Sequence, residues 1–198
     1  MPIEQMLAFF VFSLVAAGTP GPSNIILTAI GANVGTAKGF PSVLGATSGM
    51  ALMMFLVSYG LGSVILNHPG LLKVLNWCGA AFLLWLSWKI ATVNRVETST
   101  EKNPVGFVGM MLFQAVNPKA WLVCASAAGT FLSAGAGSPL LQSISLGGIF
   151  FIASTPCCFL WLVFGAAIQR LLTDQRRLRI FNISMGVLLA VSVVLMVF

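Results

Sequence analysis

The sequence predicts an all-α membrane protein with six transmembrane helices, built as two inverted three-helix repeats whose first and fourth spans break at proline motifs. Three observations predict it. Of the 198 residues, 58% are hydrophobic and only 7% charged, where soluble domains carry roughly 25% charged residues. Apart from Lys119, those few charges flank long apolar segments instead of sitting within them. Two polar clusters, Thr19-Pro20-Gly21-Pro22-Ser23-Asn24 and Asn117-Pro118-Lys119, interrupt apolar stretches at matching places in the two halves of the chain. The whole chain, 1–198, reads as one transmembrane domain, with repeat 1 over about 1–93, a central loop over about 94–104 and repeat 2 over about 105–198.

About 20 apolar residues at 1.5 Å each cross a hydrocarbon core roughly 30 Å thick. Between Glu4 and Lys38 the chain is uncharged, which places span one at about 5–29, with a turn at Gly31-Ala32-Asn33-Val34-Gly35-Thr36. The segment opens on Glu4 and has a long apolar run, unlike a signal peptide, and is expected to remain a span. Span two covers about 41–66 and ends at the turn signal Asn67-His68-Pro69-Gly70. Span three, about 71–91, carries Trp77, Trp85 and Trp88, with Lys73 and Lys89 placed to snorkel near its ends.

Span four covers about 105–132, despite Lys119 within it. The Gly/Ser cluster ending at Pro139 separates it from span five at about 143–169, and span six occupies about 180–198. A five-span count is the fallback, because lysine at mid-span costs about 2.5–3.5 kcal/mol on insertion scales. Setting Lys119 aside, the loops after spans one, three and five hold Lys38, Lys89, Arg95, Lys102, Arg170, Arg176, Arg177 and Arg179, and only Lys73 lies on the other side. By the positive-inside rule both termini are non-cytoplasmic.

The net charge of +6 therefore reports topology. No base-stacking platform or recognition motif accompanies it, so nucleic acid is not an expected partner. Cys78, Cys124, Cys157 and Cys158 lie in apolar segments and read as reduced core thiols. With one histidine, His68, no metal spacing arises, and no cofactor is expected.

Function is concentrated at the two breaks. Prolines 20 and 22 each remove a backbone donor, and Gly21 between them relaxes the chain. The expected result is an unwound stretch presenting the carbonyls of residues 16 to 18 and the side chains of Thr19, Ser23 and Asn24. Carbonyls and hydroxyls suit an ammonium, and the helix N-terminus resuming near Ser23 suits a carboxylate. Paired interruptions at equivalent positions mark a transporter's binding site, and inverted repeats suit alternating access. Aligning Pro20 with Pro118 brings the two breaks into register.

Lys119 is the one ionised group predicted inside a span away from its ends; it either snorkels or faces the cavity, receiving a substrate carboxylate or pairing with carbonyls of the first break. Asn117, and Gln114 one turn before Pro118, are expected on the same face. Ser154-Thr155-Pro156 in span five reads as a further break with a weaker claim to the pathway. No Asp or Glu lies mid-membrane, which leaves Lys119 as the titratable candidate for proton coupling. Gly31-x-x-x-Gly35 and Gly45-x-x-x-Gly49 match small-residue packing motifs.

An intramembrane hydrolase would need a nucleophile with a base, or a metal with several ligands, and the residues for either are missing. A passive pore or a non-transporting assembly factor is the other alternative, and neither requires paired breaks. A second copy of the chain, forming a homodimer, is compatible with the composition.

The chain resembles the LysE/RhtB family of small amino-acid exporters. The resemblance rests on Thr19-Pro20-Gly21-Pro22, the stretch through Lys38-Gly39 and Gly45, and Asn117-Pro118-Lys119-Ala120. Trp77 to Phe82 and Trp85 to Thr92 look like the branch exporting cysteine and O-acetylserine. The resemblance implies efflux of a small amino acid or derivative across the bacterial inner membrane, driven by the proton-motive force. Two departures bear on substrate: Ser23 and then Asn24 follow the first motif where relatives often carry Asn or Asp directly, and the membrane acids of basic-amino-acid exporters are missing. A neutral zwitterion such as cysteine, O-acetylserine, threonine or homoserine is favoured over lysine or arginine.

Overall fold

The computed structural model describes residues 1–62, 69–92, 105–132, 138–171 and 174–197. All regular structure among them is helical: α1 (Ile3–Gly18), α2 (Pro22–Leu56), a π-helical turn (Val57–Leu61), α3 (Pro69–Ala91), α4 (Phe107–Val116), α5 (Pro118–Phe131), α6 (Pro139–Leu171) and α7 (Gln175–Val197). By length and composition Pro22–Leu61 and Pro139–Ile168 can each cross a membrane. The pair Phe107–Val116 and Pro118–Phe131, bent by 67°, adds a broken span. Large apolar side chains cover the outside: Leu7, Val11 and Val15 form an exposed stripe on α1, and Ile152 and Leu160 do the same on α6. A continuous apolar exterior of this kind fits a hydrocarbon solvent and not water. The chain is a helical membrane protein.

Proline and glycine set the helix ends. Pro22 and Pro118 both stand at the first positions of their helices, where the missing N–H would have had no intrahelical partner. The helix-starting counterpart of Pro118 is thus Pro22, two residues beyond the Pro20 chosen from sequence alone. The turn expected over residues 31–36 contracts to one residue, Gly35 (φ 78°, ψ 179°), with helix resuming at once on its far side. Only glycine adopts that conformation without strain.

Pro41 and Pro156 lie inside helices. Ser154-Thr155-Pro156 is therefore not a break: α6 runs through it, and Thr155 Oγ1 donates to the Phe151 carbonyl at 2.7 Å. Pro69 and Gly70 belong to α3 and not to a turn, and α7 starts at Gln175, so Arg176, Arg177 and Arg179 are helical and not looped. The turn at Asn67-His68, the loop over about 94–104 and the cluster before Ser138 lie outside the described residues.

α2 and α6 share the most extensive packing, while α3 and α7 pair with each other at the periphery. One apolar cluster gathers Ile26, Leu27, Val43, Leu83, Phe113 and Leu162. A second gathers Phe9, Met53, Met54, Cys124, Leu146 and Phe150. Glycines bring backbones together: a Cβ on Gly45 would stand 2.1 Å from the Phe107 carbonyl oxygen, and one on Gly49 2.6 Å from that of Met111. The Gly45/Gly49 motif thus seats α2 against α4. In the other motif Gly31 approaches α6, whereas Gly35 supplies the bend.

The two broken helix pairs run antiparallel. Gln5, at the start of α1, donates to the Phe131 carbonyl at the end of α5 at 2.9 Å. Ser42, just beyond the Gly35 bend, donates to the Val105 carbonyl ahead of α4 at 2.6 Å. The breaks therefore meet midway along two oppositely directed paths.

Candidate functional site

At the first break the backbone is extended at Thr19 (φ −64°, ψ 133°) and Gly21 (φ −175°, ψ 177°). The carbonyls this frees are taken up by side chains. Asn24 Nδ2 donates to the oxygens of Ala17 and Thr19 at 2.8 and 2.9 Å, and Trp161 Nε1 donates to that of Gly18 at 3.3 Å. Thr19 Oγ1 turns back to the Val15 carbonyl at 2.6 Å. The sequence expectation of free carbonyls at 16 to 18 is corrected for Ala17 and Gly18. An unpaired carbonyl in a bilayer costs several kcal/mol, so internal partners are the expected solution.

The second break is a single residue, Asn117 (φ −82°, ψ 110°). Its side-chain oxygen accepts from the Lys119 backbone N–H at 3.2 Å, an N-cap on α5. Trp121 Nε1 binds the freed Ala115 carbonyl at 2.8 Å. With its oxygen used locally, the Asn117 amide nitrogen donates to Ser23 Oγ at 3.1 Å and to Gln114 Oε1 at 3.0 Å. Gln114 Nε2 also donates to Ser23 Oγ at 3.2 Å. Ser23, Gln114 and Asn117 thus close a polar triangle between the two breaks, and Gln114 and Asn117 are essentially fully buried.

Lys119 joins the breaks a second time: its Nζ donates to the Thr19 carbonyl at 2.7 Å. The side chain lies directly across Gly21, where an added Cβ would meet Lys119 Cδ at 2.8 Å and Nζ at 3.1 Å. Glycine is needed here for close approach and not for backbone freedom, since the Gly21 φ is one any residue adopts. An ammonium has three donors; Thr19 uses one and leaves capacity for an anionic group.

Around these groups lies a cavity of about 40 Å³, measured as space open to the centre of a water molecule. Of the sequence candidates, Gly21, Ser23, Asn24, Gln114, Asn117, Lys119 and Ser154 line it. Thr19 contributes its carbonyl as a partner of Lys119. Pro20, Pro22, Pro118, Thr155 and Pro156 stay off the lining, the first three shaping the breaks.

The lining also includes Thr47, Met50, Phe150 and Cys158, which the sequence reading did not single out. Residues 47 and 50 share one face of α2, and 150, 154 and 158 one face of α6, a pattern that a packed core produces as well. Cys124, Cys157 and Cys158 are free thiols; the Cys78 side chain lies outside the described residues. Among the described residues no group of three or more His, Cys, Asp or Glu could hold a metal.

The cysteine/O-acetylserine efflux protein of Salmonella typhimurium strain LT2 is 36% identical over 129 residues, covering 63% of this chain and 64% of that protein. The protein of the same description from Escherichia coli strain K12 is 32% identical over 125 residues, with the same coverage. The alignments thus span a little under two thirds of those relatives' length. No solved structure matches the chain. The family described as LysE type translocator matches residues 14–197, from within α1 to the end of α7 and across both breaks. The chain therefore belongs to the LysE type translocator family.

Proposed function

We propose that the chain is a secondary transporter that exports a small neutral amino acid or derivative from the bacterial cytoplasm, of the cysteine/O-acetylserine or threonine/homoserine kind. The observation that carries this reading is the meeting of Lys119 Nζ with the Thr19 carbonyl at 2.7 Å, beside the Ser23–Gln114–Asn117 triangle and on one shared cavity. The Lys119 ammonium and the amide donors receive the substrate carboxylate. The Ser23 hydroxyl and the carbonyls of the first break receive its ammonium as the internal bonds to Asn24 and Lys119 exchange. Among the described residues no carboxylate lines the cavity, so a cationic side chain finds no counter-charge from them, which favours neutral substrates.

Helix lengths support six spans in two inverted repeats. α1, with 16 residues, rises only about 24 Å, and needs the stretch from Pro22 to Val34 to complete a crossing. Pro22–Leu61, with 40 residues, would extend about 60 Å as one rod, twice the hydrocarbon core, so its Gly35 bend divides two spans. α4 and α5, with 10 and 14 residues, together rise about 36 Å. The antiparallel course of the broken pairs is what inverted repeats require.

The test is efflux from proteoliposomes loaded with labelled cysteine, O-acetylserine, threonine or lysine, with and without an imposed proton gradient. Gradient-dependent release of a neutral substrate, with lysine retained, is the expected result. Release indifferent to the gradient and to side-chain charge would identify a passive pore. A Lys119→Arg protein whose efflux keeps the native pH dependence would remove Lys119 as the proton carrier.

A further inference from the structure

This inference rests on the transporter reading. We propose that the stretch of α2 from Pro22 to Val34 is the moving gate that closes the cavity toward the Lys38 end of the molecule, and that the Asn33–Asn182 amide pair is its latch.

The stretch is bounded at both ends by non-helical backbone. Before it lies the extended segment at Thr19 and Gly21; after it comes Gly35 at φ 78°. A rigid helical piece between two such points can rotate at small cost, as the half-helices of transporters do. Its first turn carries Ser23 and Asn24 into the cavity, so a swing of the gate moves the binding groups with it.

Its seam with α6 brings the two backbones into close approach, beside the packed side chains of Ile26, Leu27 and Leu162 and a hydrogen bond from Thr28 Oγ1 to the Trp161 carbonyl at 3.3 Å. A Cβ on Gly31 would stand 2.1 Å from the Leu162 carbonyl oxygen, and one on Gly165 2.0 Å from that of Thr28. The approach is reciprocal, glycine on each helix against the carbonyl of the other.

The latch stands one turn beyond Ala29 on the gate. Asn33 Nδ2 donates to Asn182 Oδ1 at 3.0 Å, and Asn182 Nδ2 returns a bond to Asn33 Oδ1 at 3.3 Å. Asn182 is fully buried on α7. That helix is held to α3 separately, where a Cβ on Gly186 would meet the Ser87 carbonyl oxygen at 2.7 Å. An amide pair suits a reversible contact: when it parts and water enters, both side chains exchange one hydrogen bond for another. Lys38 and Arg176 lie at this end, which the positive-inside rule assigns to the cytoplasm. The cavity as it stands holds roughly three waters by its volume, less than an amino acid needs, so loading requires an opening.

The experiment is efflux from proteoliposomes containing the Asn33→Cys/Asn182→Cys protein, before oxidation, after oxidation to the cross-link confirmed by mass spectrometry, and after reduction. Each single variant controls for the native cysteines. The expected result is a loss of about tenfold or more, equal to 1.4 kcal/mol in barrier, restored by reductant and absent in the single variants. Cross-linked protein that transports at its unoxidised rate overturns the gate. Native protein that moves no amino acid in the same assay overturns the transporter reading instead.

A second variant serves if the cysteine pair does not assemble. Gly31→Ala forces the α2–α6 seam apart, and a membrane-impermeant maleimide is expected to label cavity-lining Cys158 several-fold faster in inside-out vesicles. Unchanged labelling overturns the gate.

Discussion

At the scale of single residues, Asn24 contributes most to holding the first break open. One amide group satisfies two carbonyls, at 2.8 and 2.9 Å. Asn24→Asp replaces that donor by oxygens facing oxygens. Loss of a buried hydrogen-bond partner costs about 1–3 kcal/mol, and the added charge raises it, so a lowered unfolding temperature in detergent and abolished efflux are the expected outcome. Asn24→Ala is expected to fall between that variant and the native protein, and a native-like unfolding temperature for Asn24→Asp would refute the role given to the amide. Lys119 and Asn117 were legible in the sequence because a charge and an amide stand out in an apolar stretch. Asn24 was legible as polar, but its task was not: whether a side chain meets substrate or its own backbone depends on where the carbonyls of residues 17 and 19 turn. Cys158, Met50 and Phe150 were not legible, since an apolar residue on a cavity wall has the same pattern as one in a packed core.

At the scale of elements, the same residue type has opposite consequences at different places. Pro22 and Pro118 begin helices, while Pro41 and Pro156 are passed over within them. Proline disrupts a helix by removing a donor and crowding the previous turn, yet α6 continues through Pro156, where the Thr155 hydroxyl bonds the Phe151 carbonyl in the turn that the proline crowds. Reading every proline beside polar residues as a break over-predicted one at Pro156 for that reason. Pro156→Ala is accordingly expected to leave efflux within about twofold of native and the unfolding temperature unchanged or higher, because helix propensity improves by about 3 kcal/mol in isolation. A tenfold loss of efflux would instead give Pro156 a part in the mechanism.

Glycine divides in the same way. Gly45 is required by contact, with the Phe107 carbonyl 2.1 Å from any Cβ, whereas Gly60 is required by its φ of 140° with nothing within 4 Å. Alanine at Gly45 is expected to push α2 and α4 apart and cost about 1–3 kcal/mol by overpacking. Alanine at Gly60 is expected to cost a similar amount, about 1–3 kcal/mol, from backbone strain. Neither is expected to be rescued by truncating a neighbouring side chain, since the obstacle at Gly45 is main chain and at Gly60 it is the residue's own backbone conformation.

At the scale of the whole molecule, span boundaries and orientation follow different physics. Apolar length located the helices to within a few residues, except where a helix outlasts its membrane portion, as α7 does by carrying Arg176, Arg177 and Arg179 in its first turns. Charge placement is blind to helix ends and reports only which side a segment faces. By the positive-inside rule, eight basic residues against Lys73 predict the N-terminus outside and the Gly35 bend inside. On that prediction, the hydrogen bonds from Gln5 to Phe131 and from Ser42 to Val105 would place the end of α5 at the outer face and the start of α4 at the inner face. Orientation at one point therefore fixes it at all four. Pro2→Cys is expected to react with a membrane-impermeant maleimide in intact spheroplasts, and Ala37→Cys only in inverted vesicles, with the native protein as the background for its own cysteines. Labelling of both positions from the same side would be incompatible with a single crossing between them. It would leave the two halves without the inverted relation that the proposed alternating access requires.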